Sequence, residues 1–233
     1  MRRSKCKMEA SHLSILHFAF CILHSCRGKS LARISIVFAL VSLAAAAEKP
    51  QIIDGTQYMP LELGREMRYH VTVTPPLGKA RKATATNKAS EQVVLQGKTY
   101  FKVTTTITGV PFMPDTFIYY RKAPDGVYQI LEGDEKSPEW LYLPAKIKIG
   151  DRWGAETPSG DYQFTAEKLE DVETPTGKYA NCLKLKVTMK KTLVTNTQEQ
   201  WLAPGIGVVK QSDSNVFFSS STILEEVNQG DKK

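Results

Sequence analysis

From residue 66 onward, hydrophobic and polar residues alternate along the chain with a period of two. Met67, Tyr69, Val71 and Val73 fall on one face of the stretch 66–74, and Arg68, His70, Thr72 and Thr74 on the other. That is the pattern of a half-buried strand. Phe101, Val103, Thr105 and Ile107 alternate in the same way with Lys102, Thr104, Thr106 and Thr108, as do Leu183, Leu185, Val187 and Met189 with Lys184, Lys186, Thr188 and Lys190. Further strands are predicted over 82–94, 116–122, 126–131, 152–155, 162–167, 192–201, 208–212 and 220–227. Turn chemistry separates them: Ala123-Pro124-Asp125-Gly126, Pro158-Ser159-Gly160-Asp161, Thr174-Pro175-Thr176-Gly177 and Leu95-Gln96-Gly97-Lys98 each carry the Pro, Gly or polar residues that tight turns require. No stretch shows a 3.6-residue amphipathic period, and no internal repeat is visible. The predicted fold is all-β, a mainly antiparallel meander curled into a barrel, half-barrel or sandwich.

Ahead of this region the pattern changes. The apolar run 34–43 follows Arg27, Lys29 and Arg33 and ends in Ala44-Ala45-Ala46-Ala47, which reads as an export leader with a signal-peptidase site. The expected organisation is a leader over 1–47, a single β-domain over 48–228 and a flexible tail over 229–233. Residues 1–30 hold a second apolar stretch, 13–23, and suggest an over-called start. Leu23-His24-Ser25-Cys26 loosely resembles a lipobox, but His24 fits that motif badly.

Cutting after Ala47 leaves 186 of the 233 residues, enough for one substantial core. It also removes seven of the 31 Lys and Arg and one of the 24 acids, leaving 24 bases against 23 acids, so the net charge falls from +7 to +1. The basic character therefore belongs to the leader, and no nucleic-acid partner is expected. Cys182 and His70 are the only Cys and His that remain. They cannot supply a disulfide or a thiolate–imidazole metal cluster, so neither a metal nor another cofactor is expected.

Three segments together resemble an uncharacterised exported bacterial β-domain family, a domain of unknown function. They are Tyr58-Met59-Pro60-Leu61 with Gly64 and Tyr69, Leu143-Pro144 with Ile149-Gly150-Asp151-Arg152-Trp153, and Trp201-Leu202-Ala203-Pro204-Gly205-Ile206-Gly207-Val208-Val209-Lys210. The stretch 174–183 fits as well, whereas Met67 stands where that pattern has Trp. The resemblance implies a fold and no site residues. On physical grounds alone, Pro204-Gly205 suits the centre of a type II turn and Gly207 a bulge. Gly205-Ile206-Gly207 lacks the third glycine and the following helix of a dinucleotide loop.

The remaining candidates divide by chemistry. His70 lies on a polar strand face, with no nucleophile motif to serve. Cys182 abuts an alternating strand and reads as a core residue. The acidic groups Glu132, Asp134, Glu135, Glu139 and Glu167, Glu170, Asp171, Glu173 would suit glycoside hydrolysis or calcium only if opposed across a cleft. The aromatics are more suggestive. Phe117, Tyr119 and Tyr120 on one strand, with Trp140 and Tyr142 beyond it, are the expected ligand-binding residues, either as part of the core or as a concave apolar surface. The expectation is an exported, non-enzymatic binding or interaction module of the bacterial envelope, in the periplasm or at the cell surface. It would hold an apolar small molecule or an envelope protein, with no membrane span in the mature chain. A carboxylate-dependent hydrolase and a purely structural envelope protein are the alternatives.

Overall fold

A computed structural model describes residues 51–229 except 111–113, 134, 159 and 192–193. The expected leader, the end of the expected tail and Asp134 lie outside the described residues. The elements run β1 (Ile53–Asp54), a 3-10 turn (Gly55–Tyr58), β2 (Glu66–Thr74), β3 (Arg81–Leu95), β4 (Lys98–Thr108), β5 (Thr116–Ala123), β6 (Gly126–Leu131), β7 (Trp140–Pro144), β8 (Lys146–Ile147), β9 (Arg152–Thr157), β10 (Gly160–Thr174), β11 (Gly177–Lys191), β12 (Val194–Ala203), β13 (Gly207–Ser214) and β14 (Ser219–Asn228). Twelve of these strands form one antiparallel sheet in the order β7-β6-β5-β4-β3-β2-β14-β13-β12-β11-β10-β9. The sheet is nearly closed into a barrel, so the predicted all-β antiparallel class holds.

Within the sheet every strand but one pair meets its neighbour in sequence, which is what tight turns and alternation dictate. The exception joins the first and last strands, Ser219 opposite Thr74 through Asn228 opposite Glu66. The seam of the barrel therefore lies in the middle of the chain, between β7 and β9. Side chains bridge it. Trp140 stacks on Tyr162 at 5.0 Å, Tyr142 meets Phe164 edge-on at 5.9 Å, and the indole N–H of Trp153 donates to the carbonyl of Tyr142 at 3.0 Å.

Alternate turns fall at opposite ends of such a meander. One end is plugged. β1 pairs with β8, and the 3-10 turn between β1 and β2 is tied down where Gly205 N donates to the carbonyl of Gln57 at 2.8 Å and the Tyr58 hydroxyl to that of Asn181 at 3.0 Å. Gly55 sits so close to the β7–β8 corner that a Cβ would lie 2.1 Å from the Pro144 carbonyl oxygen and 2.7 Å from Ile147 Cδ1. Gly55→Ala is accordingly expected to lower the unfolding free energy by about 1–3 kcal/mol, read as a urea midpoint. An unchanged midpoint would show that the plug contributes nothing to the stability of the fold.

The Pro204-Gly205 expectation holds: Ile206 N donates to Ala203 O at 3.1 Å and Gly205 has φ 71°, a type II turn. The bulge expected at Gly207 falls at Val209 instead, because Leu202 pairs with Val208 and Trp201 with Lys210.

Candidate functional site: the barrel interior

Inward-facing residues do not fill the barrel. A cavity of about 610 Å³ runs through it, lined from nearly every strand of the large sheet. Its floor is the segment leading from the plug into β2, through Met59, Pro60 and Leu61. The apolar wall comes from the alternating strands already legible in sequence: Val71 on β2, Ala85 on β3, Val103 and Ile107 on β4, and Ile118 on β5.

The opposite wall is polar. Gln198 and Gln200 on β12 face Gln211 and Asp213 on β13 across one ladder. The Gln200 amide N–H donates to Gln198 Oε1 at 2.6 Å, the Gln198 amide to Asp213 Oδ1 at 2.6 Å, and the Gln211 amide to Asp213 Oδ2 at 3.0 Å. The Tyr142 hydroxyl completes the chain by donating to Gln200 Oε1 at 2.8 Å. Burial raises the Tyr142 phenol well above its ordinary range, so it stays protonated and remains a donor. Each of these groups is engaged with another, which lets a polar wall line a largely apolar space at small cost.

Two buried polar side chains differ from that network. Gln129 on β6 is 5% exposed and lines the cavity between Tyr120 and Trp140. Arg65, also 5% exposed, donates from Nη2 to the carbonyls of Gly205 at 3.3 Å and Ile206 at 3.0 Å, fastening the floor to the β12–β13 turn. Its Nε has no partner among the described residues.

The five aromatics singled out in sequence separate by parity. Tyr120, Trp140 and Tyr142 line the cavity at the seam. Phe117 and Tyr119 do not; they point to the outer face of β5, where Tyr119 packs with Tyr100 and Ile130 and Phe117 meets Tyr119 edge-on at 5.2 Å. One strand cannot aim consecutive residues to the same side. Gln198, Gln200, Gln211 and Asp213 were not singled out in sequence. Their signal was polar residues at alternate positions, 198 and 200 within one predicted strand, then 211 and 213 at the end of the next.

The other candidates lie away from the cavity. His70 Nδ1 is 3.7 Å from Glu225 Oε1 at the surface. Cys182 is fully buried, and burial pushes its thiol up to about 11, away from thiolate chemistry. Glu139 is clamped by Lys98, Arg121 and Tyr100. Glu167 pairs with Lys184, Glu170 with Lys168, and Asp171 with Lys178. Among the described residues no group of three His, Cys, Asp or Glu is placed to hold a metal, and the cavity lining carries one carboxylate, Asp213.

Outward positions such as Lys102, Arg121, Lys184 and Glu199 are charged, the reverse of a lipid-facing barrel exterior. Among the described residues no helix is long and apolar enough to cross a membrane.

No curated protein matches this chain significantly. Among solved structures, a protein from Bacteroides fragilis NCTC 9343 inferred to be exported and described as having a YmcC-like fold aligns with a TM-score of 0.46 at 14% identity, covering 73% of this chain and 98% of its own. An inferred lipoprotein from Parabacteroides distasonis ATCC 8503 aligns with a TM-score of 0.39 at 14% identity, covering 76% of this chain and all of its own. Residues 163–223, spanning β10 into β14, match the sequence model of the DUF3108-like family, so the resemblance to a β-domain family of unknown function is borne out.

Proposed function

We propose that this chain is an exported binding module whose barrel interior holds an apolar small molecule carrying at least one hydrogen-bonding group. The observation that carries this reading is the unfilled space of about 610 Å³. It is several times the volume of an ordinary packing defect, and within the roughly 300–1,000 Å³ of small-molecule sites. Burial of apolar ligand surface against Val103, Ile107 and Ile118 supplies the affinity, at about 25 cal/mol per Å² before the costs of association. The side-chain amide of Gln129, which lines the space, supplies orientation by hydrogen-bonding the polar group of the ligand. The leader expected over 1–47 supports a site outside the cytoplasm, in the periplasm or at the cell surface.

Filling the space tests the reading. Val103→Trp adds an indole inside the cavity, and it is expected to reduce binding of 1-N-phenylnaphthylamine at least about tenfold while far-UV circular dichroism stays unchanged. Undiminished dye binding in a folded Val103→Trp protein would rule out the interior as the site. Native mass spectrometry of the protein purified from its own envelope then reads the natural occupant as added mass.

A further inference from the structure

Four large apolar side chains stand in water at the end of the barrel opposite the plug. Leu77, in the β2–β3 turn, is 93% exposed; in the β13–β14 turn Val216 is 73%, Phe217 64% and Phe218 38% exposed. Because Ser219 pairs with Thr74, the two turns are neighbours and their apolar side chains form one lip. Phe218 also lines the cavity, so the lip is continuous with the interior.

Three hydrogen bonds to Asn215 hold the β13–β14 turn. Asn215 Oδ1 accepts from Phe217 N at 2.7 Å and from Phe218 N at 3.0 Å, and Asn215 N donates to Phe218 O at 3.0 Å. The turn therefore presents Phe217 outward with its own amide and that of Phe218 already paired.

Charge surrounds this lip on both sides. Lys79, Arg81 and Lys82 follow Leu77 into β3, and Lys190 and Lys191 end β11, beyond the β13–β14 turn in sheet order. All five are exposed, and among the described residues none makes an ion pair with an acid, unlike Lys88, Lys98, Lys102, Lys168, Lys178 and Lys184. Of the acids at this end, Asp115, Glu132, Glu156 and Asp161 lie at the other turns, Asp161 opposite Lys190, and Asp213, at the base of the β13–β14 turn, is taken up by the Gln198 and Gln211 amides and the Ser220 hydroxyl. Apolar tips flanked by cations that make no ion pair match the surface of an anionic bilayer, where the tips enter the headgroup region and the cations meet lipid phosphate.

We infer that this lip docks on an anionic lipid surface, setting the open end of the barrel against the membrane. The inference goes beyond ligand binding in the interior and does not depend on it, since docking is read with no dye in the cavity.

The test uses the full chain with vesicles of phosphatidylglycerol and phosphatidylethanolamine, and with phosphatidylcholine alone. Phe217→Trp reports from the lip itself: its added emission is expected to shift to the blue on mixing with phosphatidylglycerol vesicles and to be quenched by brominated acyl chains. Leu77→Ser with Phe217→Ser, and separately Lys79→Glu with Arg81→Glu, are each expected to weaken co-sedimentation roughly tenfold or more, with raised salt acting like the charge reversal. Unchanged far-UV circular dichroism and an unchanged urea midpoint establish that the variants remain folded. An unshifted Phe217→Trp emission, or co-sedimentation equal to wild type in both double variants, overturns the proposal. So does a lip that leaves vesicles untouched yet cross-links an envelope protein.

Discussion

Phe164→Ala is expected to lower the unfolding free energy by about 4 kcal/mol, the largest effect of any single substitution considered for this barrel. Phe164 is 1% exposed and stands where the sheet fails to close through its backbone. Its ring lies 5.6 Å from Trp153 at an interplanar angle of 7°, 5.7 Å from Trp140 and 5.9 Å from Tyr142. Truncation removes the aromatic that touches both sides of the seam, and each lost ring pair is worth roughly 0.5–1.5 kcal/mol beyond its buried area. β7 and β9 share no ladder, and the bond from the Trp153 indole N–H to the Tyr142 carbonyl does not replace the lost ring contacts. Urea unfolding followed by tryptophan fluorescence reads the loss, because Trp140 and Trp153 flank the site. A destabilisation under about 1 kcal/mol would mean that the seam aromatics do not hold the barrel shut.

Glu139→Gln is expected to cost about 3 kcal/mol at neutral pH and progressively less in acid. Glu139 is 10% exposed at its side chain. It accepts from Arg121 Nε at 2.8 Å and from Lys98 and the Tyr100 hydroxyl, fixing the connection between β6 and β7 against the outer face of the sheet. Burial by itself would raise this carboxyl, but the bonds from Arg121, Lys98 and Tyr100 outweigh it and hold the group at about 2 against an ordinary 4.5. A carboxyl depressed in the folded state stabilises the fold above its unfolded pKa, and that contribution is lost as pH falls toward the folded value. The difference corresponds to about 3 kcal/mol at pH 7 and about 1 kcal/mol at pH 3. Urea midpoints for wild type and Glu139→Gln should therefore converge between about pH 5 and pH 2. Parallel curves across that window would show that the clamp is not ionic.

The two substitutions probe opposite faces of the same strands, and the division between those faces explains much of the site. β5 carries Ile118 and Tyr120 into the cavity and Phe117 and Tyr119 onto the outer surface, where the connection bearing Glu139 covers them. An outer apolar position is buried here only because a distant loop folds back over it. Gln96 makes that loop stay, its amide donating to the carbonyls of Glu135 at 3.0 Å and Ser137 at 2.6 Å. Nothing local to Phe117-Ile118-Tyr119-Tyr120 distinguishes the two faces.

Strands 66–74 and 126–131 have the limits their alternation predicts, and 81–95 and 116–123 differ by a residue or two. β10 and β11 run well past their predicted ends, to Thr174 and back to Gly177, because register shifts near Glu167 and Asp171 interrupt the period of two. β7, a run of five residues with bulky side chains on both faces, has no alternation to detect.

What alternation and turn residues determine by themselves is local: where strands begin, which side chains share a face, and that neighbours in sequence pair as hairpins. They act through φ/ψ preferences and a two-residue period, both properties of a few consecutive residues. Tertiary structure alone decided that β14 returns to β2, that the seam falls at β7 and β9, and that the inward faces enclose a space instead of filling it. Those outcomes depend on sheet twist and on the summed volumes of side chains drawn from twelve strands, and no window of sequence contains that sum.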